Sequence, residues 1–81
     1  MGNFDFNAPA DLFPARSRRG HRPVGYRRFA TAAQAIQYAI EQMPLELLDG
    51  TIMEIDEARV SGAGIRLLYE SSEYPLTRRT N

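Results

Sequence analysis

The sequence contains no cysteine, no lysine and no tryptophan, and it has a single histidine. Without cysteine the chain cannot form disulfides, thiolate metal sites or thiol nucleophiles. Small extracellular domains usually depend on disulfides, so this absence favours a reducing compartment, and we expect a cytoplasmic protein. No run approaches the roughly 20 apolar residues needed to cross a membrane, and the first residues lack the apolar stretch of a signal peptide.

These absences leave few side chains that could act in catalysis. His21 is the only histidine. It lies in a stretch of arginine, glycine and proline, which would not hold a catalytic base in a fixed position. Glu54 and Asp56 could share a strand face and hold a cation weakly, but a solvated strand face is the simpler interpretation. Residues 61–64, SGAG, lack the lysine and spacing of a phosphate-binding loop. We therefore predict a non-enzymatic protein with no catalytic residues, no metal site and no cofactor.

Charge is distributed unevenly along a chain whose formal net charge is zero. Residues 1–28 carry six arginines against two acids, a balance of +4, and residues 29–77 carry two arginines against eight acids, a balance of −6. The basic segment could bind nucleic acid through phosphate contacts, or it could lie against the acidic part of the chain. The candidate phosphate contacts are Arg16, Arg18, Arg19, Arg22, Arg27 and Arg28.

The composition predicts one small domain with two appendages. Residues 1–25 are rich in Asn, Asp, Pro, Gly and Arg, and we predict that they form a disordered basic N-terminal arm. Residues 26–77 carry the folding signals, and residues 78–81 are predicted to form a C-terminal tail.

Local patterns predict four elements in the folded part. The stretch YRRFA favours a strand from Tyr26. Thr31 and Gln34 have the spacing of a capping box, and Pro44 ends the amphipathic helix that follows. The stretch TIMEI at 51–55 favours a second strand, and a second helix begins after Ser61. Alternatively, residues 51–60 form one longer strand that is bulged or folded back near Asp56 and Glu57.

The predicted fold is a small two-layer α+β domain in the order β-α-β-α, with two helices on a small sheet. About twenty residues separate the two predicted strands, enough for a right-handed crossover between parallel neighbours. Leu67 lies outside the inward stripe of the second helix. A homodimer would cover Leu67 and complete a sheet that is too small on its own.

The stretches RFATAAQAIQYAIEQMP and GTIMEIDEARVSGAGIRLLYESSEYPL carry the patterns T-A-x-x-A-I-x-x-A-I and I-R-x-L-Y. Over residues 28–79 the chain resembles short proteobacterial proteins of unknown function. The resemblance implies a bacterial cytoplasmic protein and brings no activity, ligand or site with it. From the sequence we predict a protein–protein interaction or regulatory module that could be homodimeric; the alternative is an accessory nucleic-acid-binding protein that uses the arginine-rich arm.

Overall fold

A computed structural model describes residues 4–15, 25–56 and 58–77. Its strands are β1 (Ala10–Phe13), β2 (Arg27–Phe29), β3 (Ile52–Ile55) and β4 (Ala58–Ser61). Its helices are α1 (Ala32–Gln37), which continues as a π-helical turn over Tyr38–Gln42, a 3₁₀ helix over Leu45–Gly50, and α2 (Gly62–Glu70). The α+β class is confirmed, whereas the predicted order β-α-β-α is wrong because β1 precedes it and β4 extends the second strand into a hairpin.

The four strands form one antiparallel sheet in the order β2-β1-β3-β4. β1 pairs with β2 on one side and with β3 on the other, so it lies inside the sheet. β1 lies between the two predicted strands, so they are not neighbours, and the parallel crossover expected for adjacent strands does not occur. Four strands also remove the reason to expect that a second chain completes the sheet.

Residues 4–15, which we predicted to be part of a disordered arm, are packed into the body of the protein. Burial alternates along this segment, and the side chains that point inwards belong to Phe6, Ala8, Ala10 and Leu12. Leu12 is 0% exposed and is among the largest fully buried side chains of the core. The prediction of disorder is wrong for residues 4–15. Residues 1–3, 16–24 and 78–81 lie outside the described part of the chain.

The same segment also provides hydrogen-bond acceptors for the first N–H groups of α1. The first N–H groups of a helix have no acceptor within the helix. Here the backbone N–H of Ala32 donates to the carbonyl of Ala8 at 2.6 Å, and that of Ala33 donates to the carbonyl of Phe6 at 3.0 Å. Thr31 adds the predicted cap, because its hydroxyl accepts from the Gln34 N–H at 3.2 Å. The beginning of the chain and the beginning of α1 are thus joined by backbone hydrogen bonds.

The core lies between the helices and one face of the sheet. Met53 and Ile55 of β3 are buried on this face beside Leu12, whereas Ile52 points to the opposite face and is only half-buried. Ile36 of α1 is fully buried.

The turn between β3 and β4 confirms the alternative in which residues 51–60 fold back on themselves. Ile55 pairs with Ala58, so two residues form the turn. Asp56, the first of them, has a φ of 53°, the left-handed conformation that a tight hairpin turn requires. Aspartate adopts this conformation more readily than most residues do.

Buried hydrogen bonds connect parts of the chain that are distant in sequence. The Thr51 hydroxyl donates to the carbonyl of Leu47 at 2.7 Å and accepts from the N–H of Ala15 at 3.2 Å. The Tyr74 hydroxyl donates to the carbonyl of Ala33 at 3.0 Å. Thr51 therefore fixes the chain just beyond the end of β1, at the last described residue before position 16.

Candidate functional site

The sheet face that points away from the helices carries two rows of side chains across the strands. We call it the open face, and it comprises Asp11, Phe13, Tyr26, Arg28, Ile52, Glu54 and Arg59. No described element of the protein covers it. One row is charged and runs Arg28, Asp11, Glu54, Arg59 in register across the four strands. The other row is apolar and aromatic.

In the charged row, the two central carboxylates face each other and each is paired with an outer arginine. Arg28 donates to Asp11 Oδ1 at 2.9 Å, and Arg59 Nε donates to Glu54 Oε2 at 2.9 Å. The Tyr26 hydroxyl also donates to Asp11 Oδ1, at 2.7 Å. This hydrogen bond, with Arg28 beside it, lowers the pKa of Asp11, and the same bond raises the pKa of Tyr26.

The second row ends in a pair of exposed aromatic rings. Phe13 is 41% exposed and Tyr26 is 56% exposed. Their ring centroids are 5.1 Å apart, and the ring planes are inclined by 32°. Ile52 continues the row, and a shallow depression of about 230 Å³ is lined by Phe13, Ile52, Glu54 and Arg59. The open face therefore offers ring surface for a planar group beside fixed guanidinium and carboxylate groups.

Around the edge of the sheet, on the helix side of β2, lies a second concave surface. The Arg27 guanidinium lies over the ring of Tyr38, 4.7 Å from its centroid, and 5.2 Å from the centroid of Phe29. Such contacts fix an arginine side chain by cation–π attraction. A cleft of about 290 Å³, which we call the glutamine cleft, is lined by Arg27, Phe29, Gln34, Gln37, Tyr38 and Gln42.

Charge is distributed unevenly along the chain. From Leu12 to Ile40 the sequence contains six arginines and no acid. Two of these arginines, Arg27 and Arg28, lie on the described edge strand β2, and Arg28 is paired with Asp11. The helical segments carry Arg66 and the acids Glu41, Glu46, Asp49 and Glu70.

The structure places only part of the predicted arginine site. Arg27 and Arg28 lie on β2 and point to opposite faces of the sheet, Arg27 to the glutamine cleft and Arg28 to the open face. The candidates Arg16, Arg18, Arg19 and Arg22 lie outside the described residues. In the sequence they lie between β1 and β2.

The aromatic pair was not predicted from the sequence. Phe13 and Tyr26 flank the arginine-rich connection on its two sides, and they meet because β1 and β2 pair in antiparallel fashion. The alternation of apolar residues up to Leu12 would have indicated a strand, and a strand that ends at Phe13 places this ring on the other face from Leu12.

The other residues that the sequence analysis considered lie elsewhere. Leu67 is 70% exposed on α2. Glu54 is paired with Arg59, and Asp56 occupies the hairpin turn. Over residues 4–15, 25–56 and 58–77, no three potential metal ligands come together, and no helix has the length and apolar character needed to span a membrane.

No protein-family model, curated protein or solved structure matches this chain. The resemblance to short proteobacterial proteins stays a prediction. Any function must therefore be argued from the open face and the β2 edge themselves.

Proposed function

We propose that this protein is a cytoplasmic, non-enzymatic accessory protein that binds single-stranded nucleic acid at its open face and β2 edge. The observation that carries the proposal is the exposed Phe13–Tyr26 pair, which flanks a connection containing four arginines. Proteins that bind single strands without a fixed sequence combine aromatic rings for the bases with arginines for the backbone.

The aromatic row supplies the stacking component. A base stacked on an exposed ring is worth about 1–3 kcal/mol and needs no particular sequence. Phe13 lies on a strand inside the sheet and Tyr26 is held by its hydrogen bond to Asp11, so neither ring must be ordered on binding. Bases paired in a duplex are not available to such rings, and a single strand is therefore the expected ligand.

The arginines supply the phosphate component. Asp11 and Glu54 do not oppose it strongly, because Arg28 and Arg59 already neutralise them. The remaining positive charge comes from Arg27 and the connection between β1 and β2, which contains no acid. A phosphate backbone that crosses the β2 edge would meet Arg27, which directly follows Tyr26 in the chain.

The test is binding of fluorescently labelled single-stranded RNA and DNA, followed by anisotropy over a range of salt concentrations. Replacing Phe13 and Tyr26 together by alanine should weaken binding at least about tenfold, since 1.4 kcal/mol corresponds to tenfold in affinity. Replacing Arg18 and Arg19 by glutamine should make the salt dependence shallower by about 0.7 for each phosphate that is no longer neutralised.

The matched control is Leu67→Ala, which removes an exposed apolar side chain from α2 and should leave affinity unchanged. A duplex of the same sequence should bind more weakly than the single strand. The proposal fails if no single strand binds at low ionic strength, or if the aromatic double variant binds as well as the parent. In that case a protein partner becomes the better occupant of the open face.

Self-association is the second candidate, and Leu67 is the observation that favours it. Ala63, Arg66, Leu67 and Glu70 form an exposed face of α2. If two copies of α2 packed antiparallel, each Arg66 would lie opposite the Glu70 of the other copy and Leu67 would be covered. A contact between two such short helices is small compared with stable interfaces, so we expect a weak dimer. Sedimentation should show a dimer that Leu67→Glu abolishes and Ser72→Glu leaves intact; a monomer at all concentrations contradicts this candidate.

A further inference from the structure

The glutamine cleft differs from the open face in the groups that line it. Its polar groups are three side-chain amides, from Gln34, Gln37 and Gln42, and the Arg27 guanidinium. Each amide can donate and accept hydrogen bonds at the same time. None of the three amides is bonded to another described residue. Among the described residues, these amides therefore keep free donors and acceptors beside an arginine that is held by cation–π contacts.

The walls of the cleft favour a flat ligand. Arg27 lies close to the rings of Tyr38 and Phe29, so the cleft contains a guanidinium group next to two aromatic rings. Guanidinium planes and aromatic rings are the surfaces on which unpaired bases stack, and amides read the hydrogen-bonding edges of those bases. The volume of about 290 Å³ is near the lower end of ligand pockets, roughly 300 Å³, which suits one ring system and excludes a large ligand.

The cleft and the open face adjoin each other through the edge strand. β2 is one of the two edge strands of the sheet, and neighbouring residues of a strand point to opposite faces. Arg28 therefore reaches the open face and Arg27 reaches the cleft, although they are adjacent in sequence. A nucleic acid strand that stacks on Tyr26 and then crosses the β2 edge would bring its next bases to the glutamines.

We infer that the glutamine cleft binds a single nucleobase and gives the protein a base preference. This inference rests on the proposed function, because it assigns base recognition to a second surface of the protein that contacts the same nucleic acid strand. Stacking on Phe13 and Tyr26 would accept any base, whereas hydrogen bonds to amides distinguish one base from another. A well-placed pair of hydrogen bonds to a base edge discriminates by about 1–3 kcal/mol.

The experiment compares single strands that contain only A, only C or only U, using the full chain. We expect the parent to bind one of them at least about tenfold more tightly than the weakest. Gln34→Met combined with Gln37→Met keeps the size of both side chains and removes their amides. This variant should reduce the preference to less than about threefold, with little change for the weakest strand. Ser72→Met, outside the cleft, should retain the full preference.

A second measurement separates this inference from the proposed function. Free AMP, CMP and UMP are titrated into the ¹⁵N-labelled protein, and the side-chain amide resonances of the three glutamines are followed. Shifts that saturate for one nucleotide and disappear in the double methionine variant support a base site, even if long single strands fail to bind and the proposed function falls. Single strands that bind without any preference, or a preference that survives the double methionine variant, overturn the inference and leave the proposed function standing. Absence of binding by both strands and nucleotides overturns both.

Discussion

Replacing Leu12 with alanine is expected to lower the free energy of unfolding by about 2–5 kcal/mol, the range for deleting a buried leucine side chain. Leu12 is 0% exposed and lies on β1, which has a paired strand on each side. Domains of ordinary stability unfold with only about 5–15 kcal/mol, so the loss would be a large fraction of the stability of the protein. Urea denaturation followed by circular dichroism measures the difference.

Phe13→Ala is the matched control for this variant. The two residues are adjacent, but the Phe13 side chain lies on the open face and is 41% exposed. Its removal should change the free energy of unfolding by less than about 1 kcal/mol, as for most exposed positions, and should weaken nucleic acid binding instead. Equal effects of the two substitutions on stability would show that β1 is not packed as described. A Leu12→Ala variant as stable as the parent would show the same.

Gly62→Ala is expected to destabilise the protein by about 1–3 kcal/mol or more, the usual cost of overfilling a packed site. A Cβ atom at this position would lie 1.9 Å from the carbonyl oxygen of Leu48 and 3.2 Å from the Cα of Asp49. Both atoms are backbone, so no side-chain rotation relieves the contact, and α2 would have to move away from the 3₁₀ helix. Helix propensity alone predicts that the substitution stabilises the protein, because alanine is favoured over glycine within a helix by about 1 kcal/mol.

Gly25→Ala serves as the control for the glycine substitution. No atom lies within 4 Å of a Cβ built at Gly25, so the substitution meets no steric obstacle. Its effect on stability should be small and could be slightly favourable, since alanine restricts the unfolded chain. The thermal unfolding midpoints of the two variants are compared under identical conditions. A Gly62→Ala variant that unfolds at or above the midpoint of the parent would contradict the close approach of α2 and the 3₁₀ helix.

The elements that the sequence predicted correctly are those with local signals. Thr31 and Pro44 mark the two ends of a helix whose alanines and isoleucines repeat on one face. β3 shows alternation, and the chain turns at Asp56 as the alternative prediction required. In each case the residues that decide the structure lie within a few positions of each other, so the pattern can be recognised without knowledge of the rest of the fold.

β1 was missed because its stability comes from distant residues. The strand has four residues, prolines stand on both sides of it, and its surroundings are rich in polar side chains. It becomes stable by pairing with β3, some forty positions later in the chain. A composition average over residues 1–25 hides the signal that was present, namely the alternation of Phe4, Phe6, Ala8, Ala10 and Leu12 with polar residues or proline. All of them except Phe4 are buried in the core, and Phe4 is partly buried against it.

The candidate site was predictable only in its charge. Six arginines without an intervening acid are visible in the sequence, and Arg27 and Arg28 lie on the edge strand β2. The contact between Phe13 and Tyr26, in contrast, exists only once β1 and β2 are known to pair. The same pairing converts the predicted arm into a connection held at both ends. Both results depend on the β-strand β1. They favour nucleic-acid binding over protein binding as the leading proposal.

Hydrogen exchange of the backbone amides, measured by NMR on the full chain, tests the place of β1 most directly. A strand with partners on both sides has its amides protected up to the free energy of global unfolding. The amides of residues 11–13 should therefore exchange as slowly as those of β3, and much more slowly than the amide of Gly25. Exchange at residues 11–13 at the rate of an unstructured peptide would contradict the fold, and with it the open face and both sites proposed on the β2 edge.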